Sequence, residues 1–228
     1  MIPWEILGKE RAPDGGELVL YHRNGEYSIR VGGRELMSSR AHGSEEELAR
    51  AACAGLGRGA RVLIGGLGLG YTLRAALDAL PAGTTVVVAE IVPAVVTWNR
   101  GPLAALAGRP LEDPRVVVEP HDVGAVLRRS GPRWDAILLD VDNGPAALTR
   151  KANQALYGDT GLEVARRALR AGGVLAVWSA SPDKTFEKRL KKAGFVAEAR
   201  EVPARGSAGG PMHTLFFGRL PQAATTRS

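Results

Sequence analysis

Residues 61–70 read RVLIGGLGLG, and residues 85–90 read TVVVAE. An apolar run that ends in clustered glycines and opens a helix is a strand–turn–helix. There the main chain bends sharply and a ligand can approach the backbone. Gly65, Gly66, Gly68 and Gly70 are the residues expected to line such a ligand. A dinucleotide fingerprint requires G-x-G-x-x-G. With Gly66 and Gly68 as its first two glycines, Tyr71 falls where the third belongs. The spacing present, Gly66-x-Gly68-x-Gly70, suits a nucleoside that carries no pyrophosphate. Glu90 ends the following strand. In a doubly wound sheet its carboxylate lies beside the glycine loop and can accept from two ribose hydroxyls. The plain alternatives are a tight turn with nothing bound and a solvated acid at a strand end.

Outward from this loop, strands and helices alternate. Short apolar runs at 61–64, 85–90, 115–119, 135–140 and 174–179 are separated by helical patterns at 71–80, 93–106, 123–129, 153–170 and 183–193. Continuous apolar runs between helices mark strands buried on both faces, hence a parallel, doubly wound sheet. The chain ends differently. Residues 195–201 and 213–219 are two strands with no helix between them, so the last strand is expected to run antiparallel. Residues 221–228 are polar and read as a frayed tail.

The first forty residues read as antiparallel β-structure. Strands at 17–22 and 26–31 flank Asn24-Gly25, a pair that accepts the positive φ angles of a tight hairpin. Gly32-Gly33 turns the chain into a short strand at 34–37. Ser44, with Glu47 three residues on, is expected to cap a helix running to about Leu56. The domain reading is therefore a small β-unit at 1–42 and a nucleoside-binding domain at 43–220.

The 228 residues carry 24% charge and 45% apolar side chains, an ordinary globular balance. No uninterrupted apolar stretch approaches the roughly 20 residues of a membrane span, and the N-terminus lacks a signal-peptide pattern. The lone cysteine, Cys53, reads as a small buried residue and suits a reducing, cytoplasmic setting. A net charge of +6 leaves room for a nucleic-acid partner. The densest basic group, Lys184 to Lys192, reads as a solvated helix face.

GGLGLG, the Glu90 strand end, His121-Asp122 and the segment ILLDVDNGP together resemble the spermidine synthase-like branch of the class I S-adenosylmethionine-dependent methyltransferase fold. The resemblance implies a Rossmann-like, mostly parallel seven-stranded sheet with a C-terminal antiparallel hairpin and a small N-terminal β-unit. It implies a co-substrate, S-adenosylmethionine or its decarboxylated form, lined by the glycines. Glu90 would hold the ribose and Asp122 the adenine, although Asp122 can equally cap the helix behind it. Asp140 stands where the family keeps the carboxylate that handles an amine, with Asp142 second. The family's Asp-Ser-Ser-Asp reads Asp140-Val141-Asp142-Asn143 here. Three acceptor readings stand: an amine taking an aminopropyl group, a small molecule or RNA taking a methyl group, or nucleoside binding without catalysis. A metal is not expected, a homodimer through exposed strand edges is, and no membrane partner is.

Overall fold

Val62, Leu63 and Ile64 bury their side chains completely, to alternate sides of one sheet. Consecutive residues of a strand point to opposite faces, so a strand flanked by two helical layers must be apolar at every position. The computed structural model describes residues 2–11, 15–141 and 155–222. Its strands are β1 (Glu5–Arg11), β2 (Glu17–Arg23), β3 (Glu26–Val31), β4 (Arg34–Ser38), β5 (Arg61–Gly65), β6 (Thr85–Ala89), β7 (Val116–Glu119), β8 (Trp134–Leu139), β9 (Leu169–Ser179), β10 (Val196–Pro203) and β11 (Met212–Arg219). The helices are α1 (Gly43–Cys53), α2 (Tyr71–Ala79), α3 (Pro93–Arg100), α4 (Val123–Arg128), α5 (Asp159–Ala168) and α6 (Lys184–Lys192).

The large sheet has seven strands in the order β10-β11-β9-β8-β5-β6-β7. Strands β9, β8, β5, β6 and β7 are parallel, while β11 runs antiparallel to both β9 and β10. Two apolar cores follow. Val62, Ile64, Val86, Val88, Ala136 and Leu138 face α1, α2 and α3, with Cys53 at full burial among them. Leu63, Val87, Ile137, Leu139 and Val177 face α4, α5 and α6. The order reverses between β5 and β8. In open α/β sheets such a switch point leaves a crevice outside the strands' carboxyl ends. The glycine loop and Asp140 leave the sheet from these two strands.

The N-terminal sheet is antiparallel, in the order β1-β2-β3-β4. Asn24 (φ 49°) and Gly25 (φ 77°) make the expected hairpin turn. Leu18, Leu20 and Ile29 join the α1–α3 core, so this sheet shares the apolar interior of the large one. β1 is a strand the sequence does not announce. Its residues EILGKER show no clean alternation, and it is placed by its antiparallel pairing with β2, with Gly8 against the indole of Trp98 on α3.

Three expectations are corrected. Ser44 does not cap α1: the helix begins at Gly43 behind His42, and the Ser44 hydroxyl turns inward. Glu47 completes no capping box and pairs instead with Arg50 and Arg200. α1 ends at Cys53 and α3 at Arg100, short of the expected Leu56 and Leu106, with turns continuing each path. Within the expected helix at 153–170, residues 153–154 lie outside the described residues, and Gly158 separates a turn at 155–157 from α5.

Among the described residues, no helix is long and apolar enough to cross a membrane. Phe186 of α6 is fully buried, edge-on to Tyr157 (5.8 Å between centroids) and to Phe216 (5.1 Å). Phe186→Ala should therefore destabilise the fold by about 3–5 kcal/mol, measured as a shift of the urea midpoint at unchanged slope.

Candidate active site at the carboxyl edge of the sheet

The glycine loop is held from three sides. The Asp140 backbone N–H donates to the Gly65 carbonyl (3.0 Å), which docks the end of β8 against the end of β5. The Asn99 side-chain amide of α3 donates to the Gly68 carbonyl (2.9 Å). The Glu90 carboxylate, 7% exposed, accepts from the backbone N–H of Leu67 (3.0 Å) and of Val92 (2.7 Å). Glu90 therefore faces the loop, as the spacing predicts, and its orientation is fixed by the backbone it accepts from.

Two of the glycines are required by conformation. Gly66 has φ 88°, and a Cβ there would collide with the Asp140 carbonyl oxygen. Gly70 has φ 87° at the start of α2, beside Asn99 and Pro110. Gly68 lies against the sulfur of Met37, at the end of β4, so the N-terminal sheet closes over the loop. These demands are structural in themselves: each glycine makes room for a neighbour, the Asp140 carbonyl, Met37 or Asn99.

Asp140 is the first residue after β8. Its Oδ2 accepts from the Thr72 hydroxyl at 2.6 Å. Burial raises its pKa from 3.8 to about 6, against the lowering effect of that bond. A second carboxylate, absent from the sequence expectations, belongs with it. Burial, then the charge of Asp140, raises Glu45 from 4.5 to about 8. Both side chains are half-buried, and two carboxylates this close cannot easily both ionise. Among the described residues neither has an Arg, Lys or His within ion-pair distance.

Other groups crowd the same edge. The His42 ring stacks on Tyr71 with centroids 4.1 Å apart, and its Nδ1 lies 2.7 Å from Glu46 Oε1. Burial pushes the Tyr71 phenol up to about 12, with Glu46 and Glu45 adding to the shift. Ile91, next to Glu90, leaves an apolar face 48% exposed. Two surface clefts lie away from the loop: one of about 290 Å³ between α1 and α2, lined by Glu46, Arg50, Arg74 and Asp78, and one of about 520 Å³ beside the Asn24-Gly25 turn.

Asp122 is exposed and caps α4, accepting from the Ala125 N–H at 2.8 Å. Its capping reading is thus observed, and an adenine contact would add to that role. His121 lies outside this cluster, exposed and 3.4 Å from Glu119. Asp142 and Asn143 lie outside the described residues. Burial pushes the Cys53 thiol up to about 12, which removes it as a nucleophile at neutral pH.

Glu45 was open to discovery from helical spacing. It stands three, four and seven residues before Leu48, Ala49 and Ala52, all buried. An acid on the apolar stripe of a helix is out of place unless it has work there. Read only as part of Ser-Glu-Glu-Glu, it passes for a solvated first turn.

No family model and no curated protein matches the sequence. Solved structures do match in fold. A spermidine synthase in complex with the transition-state analogue AdoDATO has a TM-score of 0.75 and 17% identity, covering 94% of this chain and 73% of that chain. The spermidine synthase from Thermotoga maritima has 0.71 and 16%, covering 94% and 72%. A probable spermidine synthase from Corynebacterium glutamicum ATCC 13032 has 0.67 and 16%, covering 94% and 79%. The chain has the class I methyltransferase fold. In this chain a four-stranded antiparallel sheet precedes the seven-stranded one.

Two outcomes follow from this geometry. Gly66→Ala should cost more than about 1 kcal/mol through its positive φ alone and lower Tm further by pushing Asp140 off the loop, read by calorimetry. The acid pair also fixes a pH dependence. Glu45 and Asp140 both have folded pKa values above their unfolded ones, so between those values the folded state binds more protons. Their contribution is most favourable below about pH 4 and is lost as pH rises towards 8. Tm of the ligand-free protein should fall from pH 5.5 to 8.5, and Glu45→Gln should flatten that slope.

Proposed function

We propose that this chain is a transferase that moves an aminopropyl group from decarboxylated S-adenosylmethionine to an amine. The observation that carries the reading is the acid pair, Glu45 and Asp140, beside a glycine loop whose neighbouring strand ends in an inward-facing Glu90. An amine acceptor and an aminopropyl donor are both cations, and a pair of acids favours them. S-adenosylmethionine itself carries a carboxylate, which the same pair would repel. That difference favours aminopropyl over methyl transfer, and an amine over RNA as the acceptor.

In this reading the backbone of Gly66, Gly68 and Gly70 accommodates the nucleoside. Glu90 accepts from the ribose hydroxyls, as the resemblance to the family implies. The exposed face of Ile91 covers one side of the adenine, and Asp122 accepts from the adenine amine. The sulfonium supplies its own leaving group, so the protein's task is to position and to move a proton. The amine nitrogen attacks the carbon bound to sulfur. The new N–C bond forms as the C–S bond breaks, and the bonding pair goes to sulfur, leaving a neutral thioether. The ammonium proton that must be lost before attack goes to Asp140, whose raised pKa suits a general base near neutrality. AdoDATO bound to a spermidine synthase of the same fold supports a related co-substrate.

The test is a pair of measurements. At saturation, about 100 times Kd, a ligand adds about 2.7 kcal/mol of apparent stability. The decarboxylated nucleoside should raise Tm clearly more than S-adenosylmethionine does. Asp140→Asn should lower kcat by about 100-fold or more while nucleoside affinity stays within about threefold. A larger shift with S-adenosylmethionine would move the assignment to methyl transfer. No shift with either would leave a fold without this chemistry.

A further inference from the structure

Ser44 has three polar partners and no contact with solvent. Its Oγ lies 2.9 Å from Nδ1 of His213 on β11, 3.0 Å from the indole Nε1 of Trp178 on β9, and 3.1 Å from Oε2 of Glu45. His213 is only half-buried, packed edge-on to Trp178 (4.7 Å between centroids) and next to exposed Met212. One buried hydroxyl therefore joins the inner acid pair to a ring at the surface.

A hydroxyl has one hydrogen to give and two lone pairs to receive with. The indole N–H can only donate, so it occupies one lone pair permanently. Two arrangements satisfy the remaining contacts. In the first, protonated Glu45 donates to the second lone pair, and Ser44 donates to a bare Nδ1. In the second, ionised Glu45 accepts from Ser44, and a protonated Nδ1 donates to the second lone pair. The two differ by one proton, moved from Glu45 to His213. An ionised Glu45 beside a bare Nδ1 would leave two acceptors competing for one hydrogen.

We propose that Ser44 and His213 form the route by which a proton leaves the Glu45–Asp140 pair for solvent. The proposal rests on the transfer reading above, in which the amine delivers that proton. It passes from the Glu45 carboxyl to Ser44 Oγ as the Ser44 hydrogen passes to Nδ1 of His213. The imidazolium so formed releases its Nε2 proton to water, and the starting tautomer returns when the ring swings Nδ1 out to water, where Nδ1 loses its proton and Nε2 regains one. Glu45 is also faced by Asp140 from β8, by Tyr71 from α2 and by Glu46 on its own helix. None of these is a cation that would hold Glu45 ionised. Burial lowers the pKa of His213, so the proton rests on Glu45 and visits the ring only in passing. Ser44 and His213 touch no substrate in this scheme and act through Glu45 as positioning residues.

Two readouts test this on the full-length chain. In the first, His213 is titrated by NMR of its ring without any ligand. Glu45→Gln and Ser44→Ala should each shift the His213 midpoint by about half a pH unit or more. In the second, His213→Ala should lower kcat for aminopropyl transfer by about tenfold or more, leave KM for the nucleoside within twofold, and recover rate with added free imidazole in its neutral form. A wild-type rate in His213→Ala overturns the route, as does a slow variant that imidazole leaves slow. An unmoved His213 midpoint in both other variants also overturns it. If the wild-type protein transfers nothing, the transfer reading fails by itself, and the NMR titration then decides alone whether Ser44 links the two groups.

Discussion

The contact on which the site depends is the docking of the β8 end against the β5 loop. The Asp140 N–H reaches the Gly65 carbonyl, and the Asp140 carbonyl occupies the space a side chain on residue 66 would need. Once these two strand ends meet at the reversal of strand order, the Asp140 carboxylate has nowhere to go but inward, onto the Thr72 hydroxyl at the start of α2. Its burial is a consequence of topology and of one missing Cβ.

Placement of the N-terminal sheet completes this environment. Leu18, Leu20 and Ile29 anchor it in the α1–α3 core, Gly8 rests on Trp98, and Met37 reaches Gly68. The link from β4 into α1 then brings Glu45 to the mouth between β8 and α2. Desolvation is the first cause of both carboxyl shifts.

What could be read in the sequence was what depends on neighbouring residues. The apolar runs of β5, β6 and β8 declared a sheet covered on both faces, and Asn24-Gly25 declared its hairpin. The glycine spacing with Glu90 declared which strand ends meet, and Glu90 does turn to the loop. What could not be read depends on residues far apart in the chain. β1 shows no alternation; it is mostly exposed and is placed by its antiparallel pairing with β2, seventeen residues away at its first pair. Ser44 has the right type and position for a cap, yet it is drawn away by Trp178 and His213, more than a hundred residues later. Asp122 illustrates the reverse case: the local capping interaction did form, as spacing alone would suggest.

The distribution of charge reconciles a basic chain with an acidic site. Helices of a doubly wound sheet run opposite to its parallel strands, so their amino ends share the edge where those strands finish. Negative charge is favoured at that edge and positive charge at the other. Glu45, Glu90, Asp122 and Asp140 stand at the carboxyl edge, while Arg61, Arg133 and Arg170 stand at the far one, where Arg170 pairs with Asp135. Arg128, Arg166, Arg167, Lys191 and Lys192 occupy last turns of helices. A chain of net charge +6 can thus carry a local cluster of acids. The helix dipoles favour negative charge at the edge where the glycine loop lies, which helps to hold Glu90, Asp122 and Asp140 there, so it is these acids and not the dipoles that would favour a cationic substrate.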